Sequence, residues 1–213
     1  MNLINIKAGK GCLVLFLLPF ICIGALGFCY STIKAYQGHK CKDWERIIAN
    51  VEKVDFVIKK SSGRNSGTSY LVNVKYNYLI KNKKYSSNRV SFGYGANNTD
   101  NHHQIFDVLE DAKKIMVYVN PEDFKEAVVV PGINNSILMI FVVSIMWNIA
   151  VLFFCAAFLG NGKNKKTVSI LFAFTGFIWI IGFVILMTKS FNIQIEKKIE
   201  VVERKGEEMV VTK

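Results

Sequence analysis

The residue types able to hold a metal ion gather in one stretch, Asp100, His102, His103, Asp107 and Glu110. On a helix, His103, Asp107 and Glu110 fall at i, i+4 and i+7 and share a face. Imidazole and carboxylate together suit a divalent transition ion. A plainer account is favoured: acidic residues near a helix start complement its dipole, and paired histidines in a solvated loop need no metal. His103, Asp107 and Glu110 therefore stand as candidate ligands only, and no cofactor is expected. Nucleophilic catalysis needs Cys or Ser with a base and a group to orient it. Cys41 and His39 lie too close along the chain to form such a pair on one strand or turn. Gly93-x-Gly95 runs into asparagine-rich coil rather than a helix, so it is no phosphate loop. Lys81, Lys83 and Lys84 could meet an anionic lipid or polymer, although a solvated turn accounts for them. No catalytic or cofactor-binding residue emerges, and a non-enzymatic protein is expected.

Composition narrows the class. The 213 residues carry 27 basic and 16 acidic side chains, a formal charge of +11. Without a basic helix or an aromatic platform, that excess does not indicate nucleic acid. Lysines scattered around long apolar segments suit anionic headgroups instead. Cys12, Cys22, Cys29 and Cys155 lie in or beside apolar runs, where a thiol behaves as a small hydrophobe. Cys41 is the lone cysteine elsewhere, so neither an internal disulfide nor a thiolate zinc site is expected there.

Three apolar segments frame the chain. Residues 1–11 are polar, and residues 12–33 form an uncharged run of roughly 33 Å as a helix, enough to cross a bilayer. Ala25-Leu26-Gly27 has the small-x-small look of a processing site, yet apolar residues continue beyond it, so an uncleaved anchor is expected. Gly24, Gly27 and Ser31 fall near one helical face suited to close packing. Residues 136–159 form a second span, with Trp147 and Asn148 near its middle. Asn148, a polar group in hydrocarbon, should seek a partner helix. A basic loop (160–166) precedes a third span (167–188) and a charged tail (189–213). The tail's pattern fits strand or helix equally.

Between the first two spans, residues 40–132 read as a small, mainly antiparallel β-sheet module of four or five strands with one short helix. The fold class is thus membrane α-helical, with three transmembrane helices, plus this module. Val72, Val74, Tyr76, Tyr78 and Ile80 alternate with more polar neighbours, the mark of a half-buried strand over 70–80. A second strand is expected within 46–59 and a hairpin loop over 61–69. A turn at 81–84 leads to a returning strand at 85–92. Residues 93–101 read as flexible, and 103–114 as a helix with Asp100 as N-cap. The stretch KKIMVYVNPEDFKEAVVVPG (113–132) organises the module: a strand at 115–119 is stopped by Asn120-Pro121, and a short run at 127–130 by Pro131-Gly132. Trp44, Tyr76, Tyr78, Tyr118 and Pro121 are the expected core or interface residues. Trp44 could sit at headgroup level or cap the core.

These residues resemble a known family. Trp44 before a valine-rich strand, Val74-Lys75-Tyr76-Asn77-Tyr78, the run from Lys84 to Phe92, Val117-Tyr118-Val119-Asn120-Pro121 and Val129-Val130-Pro131-Gly132 are similar to the domain-of-unknown-function family 3592. The resemblance covers 44–132 and extends to the flanking spans. It implies a bacterial membrane protein with a small β-rich module between transmembrane helices, and implies nothing about chemistry. Two departures stand out: Ala112-Lys113-Lys114 where a glycine usually precedes the strand, and Asp123-Phe124 in place of a second Asn-Pro.

The functional expectation is an envelope protein in the bacterial inner membrane. Its module would bind a protein or envelope component through an exposed sheet edge. Lys163, Lys165 and Lys166, with Lys7 and Lys10, favour a cytoplasmic N-terminus and an extracytoplasmic module. Lys189, Lys197 and Lys198 argue the other way. Two further classes stay open: an immunity-type protein neutralising a membrane-acting toxin, and a metal-dependent envelope enzyme. The partners expected are the lipid bilayer and an unidentified protein; oligomeric state is left open.

Overall fold

The structure, a computed structural model, describes residues 3–60, 67–98, 100–159, 165–187 and 193–206. It divides into two compact units, Met1–Thr32 with Leu138–Phe191 and Ile33–Ile137 with Asn192–Lys213.

The first unit is helical. It holds most of α1 (Leu3–Lys40) and α3 (Asn135–Leu159), and all of α4 (Lys165–Met187). Among the described residues, two helices are long and apolar enough to cross a membrane, over Leu15–Asp43 and Asn135–Ala156, with mean hydropathies of 1.9 and 2.6. In α4 the apolar stretch is shorter, Phe172–Val184. Of the basic loop expected at 160–166, residues 160–164 lie outside the described residues, and Lys165 and Lys166 begin α4.

Small residues let these helices approach. A Cβ at Gly24 would stand 2.7 Å from Asn148 Oδ1 and from Trp147 Cδ1, and one at Gly27 would stand 2.5 Å from Ser144 Oγ. Trp147 Nε1 donates to the Phe20 carbonyl at 2.9 Å. Asn148 Nδ2 instead donates to Ser144 O on its own helix, 2.7 Å away. Asn148 therefore packs close to Gly24, while its amide hydrogen turns back on α3.

The second unit is a six-stranded antiparallel sheet of order β3-β2-β1-β4-β5, with β6 also on β4. Its strands are β1 (Glu45–Lys60), β2 (Thr68–Ile80), β3 (Lys83–Ser87), β4 (Ala112–Val119), β5 (Ala127–Val128) and β6 (Val201–Arg204). The β2–β3 turn is Lys81-Asn82, with φ of 49° and 63°. Two consecutive left-handed residues form the hairpin turn whose twist matches the strands it joins. Only 83–87 pair back, so the strand expected over 85–92 is shorter. Residues 88–92 leave β3, and Val129 and Val130 donate to the carbonyls of Arg89 and Val90 at 3.2 and 2.8 Å. The register of β1 on β2 shifts between Val51 and Lys53, a β-bulge. This extra residue keeps Val51 on the core side and then returns Val54 and Phe56 to it.

Helix α2 (His102–Asp111) is shorter than expected, because Ala112 opens β4 and is fully buried there. Asp100 is not its cap. Asn101 stands at that position without a side-chain hydrogen bond, and the Asp100 carboxylate is engaged elsewhere. Ile105 and Leu109 press α2 onto the sheet in one core with Val72, Val74, Tyr76, Tyr78, Ile115 and Val117.

The tail completes this unit. Ile195 and Ile199 enter the same core, and β6 pairs with the first half of β4. Met116 N–H donates to Glu200 O at 2.9 Å, and Lys205 N–H to Asp111 O at 2.8 Å. Among the described residues the module therefore has six strands rather than four or five, one of them drawn from the tail. Ile195 is 1% exposed. Ile195→Ala should cost about 2–5 kcal/mol through the lost transfer energy and the cavity left behind. Exposed Lys198→Ala should stay within about 0.5 kcal/mol. Denaturant midpoints of the purified protein check the pair, and equal midpoints would refute the tail's place in the core.

Candidate functional site

His103, Asp107 and Glu110 all lie on the exposed face of α2. The His103 ring stacks on Phe56 at 4.6 Å and tilts against Tyr70 at 5.5 Å. Its imidazole serves as an aromatic cover for the sheet. Among the described residues no three His, Cys, Asp or Glu side chains converge on a point that could hold an ion. Lys81 and Lys83 reach over the rings of Phe124 and Tyr85, both at 5.7 Å. Cys41 is fully buried, its Sγ 3.1 Å from Gly38 O. An enclosed thiol that no reagent can reach is a poor nucleophile.

The expected aromatic residues hold the module together. Trp44 is buried edge-on against Phe92 at 5.7 Å, beside Cys41 and Val128, and so caps a small core. Tyr76 Oη lies 3.0 Å from both Arg89 O and Ala127 O, and Tyr78 donates to Phe124 O at 2.8 Å. Burial raises both phenols, Tyr78 to about 12. Tyr118 is half-buried, with the Arg46 guanidinium 5.9 Å from its ring centre. Pro121 is not a core residue: it stands exposed in the turn between β4 and β5.

The arrangement with binding potential was not visible as a motif. Strand β1 pairs with β4 only over Glu45–Asn50, yet pairs with β2 as far as Lys60. Among the described residues, no strand lies on the β4 side of β1 beyond Asn50. The direction of the free backbone groups follows from β2. Tyr70 exchanges two hydrogen bonds with Asn97 (3.0 and 3.1 Å), and Val72 N–H donates to Tyr94 Oη (3.2 Å), both away from β1. Their opposites, Ile58 and Phe56, are thus in non-hydrogen-bonded pairs and turn their own N–H and C=O outward. Side chains along this edge read Asp55-Phe56-Val57-Ile58-Lys59, with Ile58 54% exposed. One signal could have pointed to it: the expected strand at 46–59 is far longer than its neighbour at 115–119.

A polar cluster sits beside the other side of β2. Asn97 Oδ1 accepts from the Asp100 amide (2.9 Å) and lies 3.2 Å from His102 Nε2. Asn97 Nδ2 is 2.9 Å from Asp100 Oδ2 and 2.7 Å from Ser136 Oγ, and Ser136 donates to the same carboxylate at 2.7 Å. Within the stretch expected to be flexible, Tyr94, Asn97 and Asp100 are thus held by side-chain hydrogen bonds. Tyr94 Oη takes the Val72 N–H and donates to His102 Nδ1 at 2.7 Å, which leaves the proton of His102 on Nε2. The neighbouring turn is equally tied. Asn134 Oδ1 caps α3 through Ile137 N–H (2.9 Å), its Nδ2 donates to Phe92 O (2.7 Å), and Asn135 exchanges two bonds with the Ile193 backbone.

Burial holds His102 below its ordinary pKa, with the Asp100 carboxylate opposing. The unfolded chain binds its proton near a pKa of about 6.5. Just below that pH the unfolded state therefore carries more protons, and stability falls as pH falls. The contribution is fully present above about pH 6.5. The wild-type thermal midpoint should drop more steeply between about pH 7 and pH 5 than that of His102→Gln. Equal slopes would show that His102 does not carry the dependence.

Comparison with known proteins reaches one stretch of the chain. No curated protein and no solved structure matches this chain. Residues 47–134 match the family model described as "Domain of unknown function (DUF3592)", the family that the strand and turn residues resemble.

Proposed function

We propose that the chain is a non-enzymatic integral membrane protein of the bacterial envelope whose β-module binds a polypeptide partner by strand addition. The observation that carries this reading is the open edge of β1 beyond Asn50. An extended segment laid there would take its main-chain bonds from Phe56 and Ile58, with pockets for alternate side chains giving selectivity. His103 stacked on Phe56 supports a binding rather than a catalytic surface.

The membrane reading is three spans. Strand β6 and the other five belong to one sheet, and the chain leaves this unit after Ile137 and rejoins it at Asn192. Any crossings between those points are therefore even in number. With α3 crossing, α4 crosses back, and α1 makes the third. The lysines near α1 and α4 support a cytoplasmic N-terminus, with the module and its tail outside.

Two measurements test this. Cys41 is too enclosed to report topology, so Lys125→Cys, at an exposed position, serves instead, in a chain lacking Cys12, Cys22, Cys29 and Cys155. Labelling by a membrane-impermeant maleimide in intact cells is expected; labelling only after lysis reverses the orientation. For binding, Ile58→Pro removes an outward N–H that β2 does not use, a change an edge strand tolerates. Capture by a photo-crosslinking residue at position 57 should fall at least about tenfold, the scale of one main-chain contact. Continued protection of Cys41 from maleimide shows that the module stays folded. Undiminished capture by folded Ile58→Pro would refute strand addition.

A further inference from the structure

Resting on the strand-addition reading, we infer that the segment added to β1 is β1 of a second copy of this chain. The edge sequence is self-complementary. Asp55-Phe56-Val57-Ile58-Lys59 has an acid at one end, a base at the other and three apolar residues between. Antiparallel pairing about a two-fold axis at Val57 sets Val57 against itself, Phe56 against Ile58, and Asp55 against Lys59, twice. Phe56 and Ile58 are the residues whose N–H and C=O face outward, so this register places the hydrogen bonds where free groups exist.

Other registers fit worse. An axis at Phe56 sets Lys53 opposite Lys59, and one at position 55 sets Asp55 against itself. An axis at Lys59 sets two lysines together, and one at Ile58 leaves Asp55 without its base. Like charges directly opposite are destabilising, and opposite charges favourable. Asp55 already meets Lys53 at 2.8 Å on the same strand. In the dimer, the partner's Lys59 would approach that carboxylate from across the edge. Ile58, 54% exposed in one chain, would be covered by the partner's Phe56. Such an interface is isologous and closed: each β1 has one free edge, so pairing ends at two copies.

The test is oxidation of Val57→Cys in the full chain in its membrane, lacking Cys12, Cys22, Cys29 and Cys155 but keeping buried Cys41. In a non-hydrogen-bonded pair the two Cα atoms lie about 4.5 Å apart, within disulfide reach. Dimer yield should exceed that of Lys75→Cys, at an exposed position on β2, by at least about tenfold. In a second pair, Asp55→Lys should lower chemical crosslinking of the dimer, and Asp55→Lys with Lys59→Asp should restore it. Protection of Cys41 reports folding in both. Dimer yield no greater than that of the Lys75→Cys control overturns the self-pairing. Should a photo-crosslinker at position 57 then capture a different polypeptide, strand addition stands with another partner. Capture of nothing overturns both.

Discussion

Hydrogen bonding on both sides of β4 is the constraint on which this module depends. A strand buried within a sheet must find partners for every N–H and C=O, since an unpaired buried group costs about 1–3 kcal/mol. On one side β4 is satisfied by β1. On the other, β5 covers only Tyr118 and Val119, and β6 covers the opposite end. Neither short strand would suffice alone. Residues 193–204 are for this reason part of the module, although the helices α3 and α4 separate them from it in the chain.

What was legible in the residues is what local physics determines. The alternation of Val72 to Ile80 announces β2, and Lys81-Asn82 can close a tight hairpin without help from elsewhere. Asn120-Pro121 ends β4 where expected. The features that were misread or left undecided depend on distant partners. Ile195 and Ile199 offer too short a pattern to distinguish helix from strand, and their place follows only from β4's need for a neighbour. Residues 93–101 look loose in composition, but Asn97 is fixed by Tyr70, His102 and Ser136. Helix α2 stops at Asp111 because Ala112 is claimed by the sheet, which overrides local helical periodicity.

The candidate site is intermediate. Its residues were visible, while the absence of a neighbouring strand could not be. The bulge at Val51/Lys53 explains why β1 looked irregular: the alternation of Ile47, Ala49 and Val51 resumes out of phase at Val54. Glu52 sits at this bulge, and hydrogen bonds from Lys75 and Asn77 lower its carboxyl pKa to about 2. Lys84 also lies 3.6 Å away. The long strand is thereby secured to β2 and β3 near the point where its pairing with β4 stops.

The tail's place in the sheet also sets an order of events during synthesis. A ribosome delivers β1 to β5 first, then α3 and α4, and only afterwards the residues that finish β4's second side. Until β6 emerges, the inner edge of β4 near Ile115 and Met116 stays bare. Pairings between such distant parts of a chain are slow to form, because a large loop must close before any contact rewards it. Maturation of the β-module is thus coupled to delivery of α3 and α4, and a chain stalled or clipped after α4 would present an unfinished sheet to quality-control proteases.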